Sequence, residues 1–166
     1  METTRSTIAI FDLIAGRKLA EKPSGELGLE HFRLVEGAMP KPSDGEVLVR
    51  VRYISLDAAN RAWMHGATYR AAVEPNAVMA GGSIAEVIES KAPGFAPGDL
   101  VFSDTGWQDY AVLPGKQLAK VPPAEPMTQL LSVYGIAGLT GYFGLFISRV
   151  RSRAKPSSSR PPPDIG

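Results

Sequence analysis

Cysteine is absent from the 166 residues, histidine occurs twice, and the formal net charge is only +1. Without a thiol there can be no disulfide framework, no thiolate zinc site and no cysteine nucleophile. The near balance of 18 basic and 17 acidic residues leaves little surplus to neutralise a phosphate backbone, so nucleic acid is not an expected partner. His31 and His65 stand far apart, outside any metal-binding spacing, and read as surface or packing residues; no metal is expected. A Gly-x-Ser-x-Gly elbow, a His-Glu-x-x-His helix, a phosphate loop and the dinucleotide signature Gly-x-Gly-x-x-Gly are missing as well. No targeting signal is legible either: the apolar run from Ile8 to Ile14 is short, broken by Asp12 and preceded by no basic cluster. A reducing cytoplasm is the expected location.

What is present is an ordinary globular composition, 44% hydrophobic and 21% charged, in a chain long enough for one core. Phe32–Glu36 reads as a short strand, and the turn-rich Pro40–Gly45 leads into the clearest element. There Val47, Val49, Val51 and Tyr53 alternate with Leu48, Arg50, Arg52 and Ile54, the period of a strand with one partly wet face. Asp57 can cap one or two helical turns through Met64. Further strands are expected at Ile84–Ile88, Leu100–Phe102 and Trp107–Leu113, separated by Pro/Gly turns such as Pro93–Asp99. Short strands punctuated this way predict a rolled, mainly β fold with short helices over residues 1–126.

Residues 127–147 differ. No charge occurs from Leu130 to Ile147, and the segment reads either as two short core helices broken near Gly135–Gly138 or as a minimal membrane span flanked by Arg149 and Arg151. The regular series Gly135, Gly138, Gly141 and Gly144 lowers its hydropathy and points to close helix packing. The span reading is the weaker, and a membrane is not an expected partner. Residues 148–166 form a Ser/Pro-rich tail with net charge +4, leaving −3 for the rest; such a composition is expected to be disordered.

Taken in order, Phe32-Arg33-Leu34-Val35-Glu36, Gly45-Glu46-Val47-Leu48-Val49-Arg50, Ser55-Leu56-Asp57, Met79-Ala80-Gly81-Gly82, Pro93-Gly94-Phe95 with Gly98-Asp99, Gly106-Trp107-Gln108-Asp109-Tyr110 and Gly138-Leu139-Thr140 form a specific set. Over about residues 20–146 the chain resembles the N-terminal catalytic domain of the zinc-independent medium-chain dehydrogenase/reductases. The resemblance is to the branch of NADP-dependent alkenal, prostaglandin and curcumin reductases. It implies a GroES-like, partly open β-barrel that forms one wall of an active-site cleft. The other wall in such enzymes is a Rossmann domain for NADPH, which is expected to be missing from this sequence.

The reaction implied is hydride transfer to the β-carbon of an activated alkene or quinone, with the enolate held by hydrogen-bond donors. By the same resemblance Tyr69 is the candidate catalytic phenol, the alternative being a half-buried loop aromatic. Thr140 falls on the helix that approaches the nicotinamide, the alternative being an ordinary helix hydroxyl. Asn60 and Arg61 are candidate substrate-binding residues, in a stretch where Ala59 replaces a family tyrosine. NADPH is expected not to bind this chain alone, which looks like a truncated catalytic half. A small-molecule substrate and self-association are the expected partners. The competing reading is a non-enzymatic β domain whose apolar and basic C-terminal segment docks on a membrane or a subunit.

The resemblance stops near Phe146. Permitted codons for Ala154–Asp164, with Arg153 ending in G, read one base earlier as Gly-Glu-Thr-Val-Val-Val-Ser-Ala-Ala-Ala-Gly, like the strand that opens the cofactor domain in similar enzymes. The tail is therefore expected to be an out-of-frame product.

Overall fold

The computed structural model describes residues 13–153. In chain order the first five elements are β1 (Leu13–Leu19), β2 (Phe32–Ala38), β3 (Glu46–Ile54), α1 (Ala58–His65) and β4 (Ser83–Ser90). They are followed by β5 (Leu100–Ser103), β6 (Tyr110–Pro114), β7 (Ala119–Lys120) and α2 (Ile136–Arg153). The chain divides between Ala124 and Glu125 into two units.

In the first unit, β1 and β2 pair as an antiparallel ribbon, and five strands form a second antiparallel sheet in the order β6-β3-β4-β5-β7. The sheet is open, with β6 and β7 at its two edges. This is the mainly β, GroES-like architecture expected from the resemblance. Alternation along β3 places Val47 and Val49 in a core with Ala85, Val87, Val101 and Ala111. The pattern is not strict, because Leu48 is buried too, beside a register shift between Leu48 and Val49. Arg50 and Arg52 are exposed as expected, the first near the Tyr110 ring and the second 3.7 Å from the Glu86 carboxylate. A second core gathers Leu19, Trp63, Met64, Val73, Met79 and Ala80, joining α1 to β1 and to the loops around β4.

Two elements depart from the sequence reading. β1 was not expected. Its Gly16 removes a side chain from the strand and breaks the pattern, but its backbone is paired twice over, with β2 and with the loop segments at Trp107–Asp109 and Ala77–Met79. The second correction concerns residues 127–147. A 3-10 turn, Met127–Leu130, leads through further turns to Gly135, and one helix then runs unbroken from Ile136 to Arg153. Leu130 is buried, whereas Leu139, Tyr142, Phe143, Leu145 and Phe146 are exposed, so these are not two core helices. The glycines explain the difference. At Gly135 a Cβ would stand 2.7 Å from the Leu131 carbonyl oxygen, which makes the tight turn before α2 the reason for glycine there. Among the described residues nothing lies within 4 Å of a Cβ placed at Gly141 or Gly144, so close helix packing does not account for that end of the series. α2 also runs six residues into the stretch expected to be disordered; positions 154–166, where the out-of-frame reading falls, lie outside the described residues. No described helix is long and apolar enough to cross a membrane.

Candidate functional site

The site is assembled around α1. Asp57 takes extended backbone angles, and its carboxylate accepts the Ala59 N–H at 2.7 Å; Asn60 Oδ1 returns the favour by accepting the Asp57 N–H at 2.7 Å. This reciprocal cap satisfies N–H groups that a helix start leaves open. Asn60 Nδ2 then donates to the Ala80 carbonyl at 3.1 Å, tying the helix start to the Ala80-Gly81-Gly82 run before β4. Asn60 is 5% exposed. Both ends of its side chain are thus engaged by the fold.

Three residues down the helix, Trp63 is buried in the second core. After α1 the loop turns tightly, with the Thr68 N–H on the Arg70 carbonyl and the Val73 N–H on the Trp63 carbonyl. Tyr69 stands on this loop. It is 82% exposed and meets Trp63 edge-on, ring centroids 5.8 Å apart at 86°. Arg70 lays its guanidinium over the Trp63 ring, 4.6 Å from the centroid, and pairs with Asp104 at 2.6 Å. Asp104 Oδ1 accepts the Gly81 N–H at 3.1 Å. Gly81 itself has no room for a side chain: a Cβ would lie 2.8 Å from Trp107 Nε1 and 3.2 Å from Ile54 Cγ2. Beneath it, Ser83 Oγ and Thr105 Oγ1 share a buried hydrogen bond of 2.7 Å. Ala80-Gly81-Gly82 is small because aromatic rings press on its backbone, Trp107 at Gly81 and Phe102 at Gly82.

Ile54 and Trp107 also line a cleft of about 620 Å³, which Arg17, Leu34, Tyr53 and Leu56 border. Its walls are mostly apolar, the usual make-up of a small-molecule site. Tyr69 is not among its lining residues. Of the four residues singled out from sequence, Asn60, Arg61 and Tyr69 fall within this unit. The Arg61 guanidinium is held by the Gly25 carbonyl. Thr140 belongs to the second unit, where it is exposed on α2 beside a groove formed with Ile136, Leu139, Phe143 and Gly144. Sequence reasoning missed Trp63, Arg70 and Asp104 as a group; the neighbouring pair Tyr69-Arg70 was the only local hint.

The residues present do not fit a whole dinucleotide. Among the described residues every strand pairing is antiparallel, so there is no parallel strand, glycine turn and helix N-terminus of the kind that receives a pyrophosphate. Nor do the described residues place three or more His, Asp or Glu side chains so as to hold a metal ion. His31 packs instead, its Nδ1 accepting the Gly28 N–H at 3.1 Å.

Comparison with known proteins places this geometry. Residues 17–121 match the family model described as the N-terminal domain of oxidoreductase. The chain is 39% identical over 130 residues to the NADPH-dependent curcumin reductase of Escherichia coli K12, covering 76% of this chain and 37% of that protein. It is 32% identical over 118 residues to prostaglandin reductase 1 of Bos taurus, covering 69% and 34%. The crystal structure of CurA from Vibrio vulnificus superposes with a TM-score of 0.73 at 34% identity, covering 81% of this chain and 40% of that one. The chain thus spans well under half the length of the relatives it matches.

Proposed function

Because the chain belongs to the oxidoreductase family defined by that N-terminal domain, we propose that it supplies the substrate-side wall of an NADPH-dependent reductase of conjugated C=C bonds. The observation that carries the reading is Tyr69, an exposed phenol whose ring packs at right angles to Trp63 at the end of α1. A phenol there can donate a hydrogen bond to the oxygen of an enone or quinone and stabilise negative charge that develops on it. Arg61 and the apolar cleft serve the substrate's body, and Asn60 sets the position of α1. NADPH supplies hydride in such enzymes, and Thr140 is the residue of this chain we assign to its neighbourhood. Among the described residues there is no phosphate-binding element, and this chain alone is expected neither to hold NADPH nor to turn over.

Two measurements test this. Titration with NADPH followed by fluorescence should show no saturable binding; micromolar affinity, abolished in Thr140→Ala, would overturn the assignment of the cofactor determinants. Titration with a small enone, followed by NMR of ¹³C-labelled tyrosine, should shift the Tyr69 ring. In Tyr69→Phe the affinity should fall about 3- to 10-fold, the equivalent of one hydrogen bond. An unchanged affinity would remove Tyr69 from the site.

The exposed apolar residues of α2 favour a second reading, a β domain that associates through this helix. Enone binding at Tyr69 separates the two, since association alone does not require it.

A further inference from the structure

Tyr69 has little of its own to hold it. It is 82% exposed, and its described ring contact is Trp63, met at 86°. The next residue is anchored three ways. The Arg70 guanidinium lies 4.6 Å from the Trp63 ring centroid, it pairs with Asp104 Oδ2 at 2.6 Å, and its carbonyl accepts the Thr68 N–H at 2.9 Å. Asp104 is anchored in turn, because its other oxygen accepts the Gly81 N–H. An unbroken path therefore runs from the Tyr69 backbone through Arg70 and Asp104 to Gly81.

We propose that Arg70 is a positioning residue for Tyr69: stacked on Trp63 and paired with Asp104, it fixes the phenol's loop against the Gly81 backbone. The function of the phenol rests on the reading given above; the latch itself does not. The charge balance argues for this role over anion capture, since a carboxylate at 2.6 Å already neutralises the guanidinium. Energy argues the same way. The pair is partly solvated, with side chains 32% and 47% exposed, and an ion pair in such a setting adds little to global stability. What it contributes is geometry. A planar guanidinium can cover an indole face and bond a carboxylate edge at once, whereas a lysine ammonium offers a point charge without a plane.

The test uses the full chain without substrate, in a Trp107→Phe background so that Trp63 is the sole indole. In Arg70→Ala and in the isosteric Asp104→Asn, acrylamide quenching of Trp63 should rise at least about twofold as the covering cation is lost. In the same variants the Tyr69 ring ¹³C–¹H shifts, assigned with Tyr69→Phe, should move toward those of free tyrosine, while the far-ultraviolet circular dichroism stays unchanged. Arg70→Lys should keep the pair but not the plane, giving intermediate quenching. Unchanged quenching and unchanged Tyr69 shifts in both Arg70→Ala and Asp104→Asn would overturn the proposal. A shift in Tyr69 that accompanies unaltered enone affinity in Tyr69→Phe would leave the latch standing and remove the catalytic reading alone.

Discussion

At Gly106 the backbone has φ +75°, and a Cβ would lie 2.9 Å from the Met79 carbonyl oxygen. Both facts exclude a side chain, the first through conformational strain and the second through contact with an atom that cannot swing away. Gly106→Ala is expected to destabilise the fold by at least about 1–2 kcal/mol, read as a lower urea midpoint. A variant as stable as the parent would mean that the turn relaxes freely. Asp99 gives the residue scale its pH dependence. The hydrogen bond from Lys120 at 2.6 Å, seconded by the Ala96 N–H at 2.8 Å, holds its carboxyl below the ordinary carboxylate range. The folded state therefore takes up a proton less readily than the unfolded chain. This contribution is present above the unfolded carboxyl's pKa, near about 3.9, and is lost as pH falls through the lower folded value. As pH falls through the carboxylate range, Asp99→Asn should lose less stability than the parent. Because the pair is solvated the effect is small, and parallel acid limbs in thermal melts would show that it is nil.

Among the elements, α1 carries the most weight for the site, because its start and the run before β4 meet in one side chain. Replacing Asn60 by Ala removes half of the reciprocal cap and leaves the buried Ala80 carbonyl without its donor. A loss of about 1–3 kcal/mol is expected, and Asn60→Asp, which keeps the cap acceptor but turns a carboxylate oxygen on the Ala80 carbonyl at a buried position, should lose at least as much. Denaturant titration of the three proteins checks the order. α1 and its Asp57 cap were legible in the sequence, as were β3 and the turns around it, because capping and period-two patterning are local signals. β1 was not, since Gly16 interrupts it and its partners are supplied by distant segments. α2 was misread for the opposite reason: glycine is a weak helix former, yet spaced glycines lower the stability of a long apolar helix without ending it. The site was legible only in part. Tyr69 came from an ordered set of motifs shared with a family, whereas Arg70, Asp104 and Trp63 are united by a loop, a helix and a strand end that no local pattern connects.

For the whole molecule the decisive feature is α2. In a two-unit chain of this kind the first unit has its own cores, built from side chains such as Val47, Val87, Leu19 and Met64 that are almost completely buried. α2 by contrast presents Ile136, Leu139, Tyr142, Phe143, Leu145 and Phe146, each more than half exposed. Ile136, Leu139, Tyr142, Phe143 and Phe146 recur at the spacing of one helix side, and Tyr142 stacks on Phe146 at a 6.2 Å centroid distance. Each large side chain left in water forgoes roughly 1.5–3 kcal/mol of burial. Contiguous apolar surface beyond roughly 400 Å² drives association. The full chain is therefore expected to self-associate at micromolar concentration, whereas a chain ending at Pro126 should keep the β circular dichroism signal and elute as a monomer. Light scattering on size-exclusion fractions of the two, at matched concentration, decides the point. Leu139→Glu with Phe143→Glu in the full chain gives an independent check, since it charges the helix without shortening the protein and should shift the parent's oligomers toward monomer. A monodisperse, monomeric parent unaffected by either change would show that α2 is covered within the chain itself.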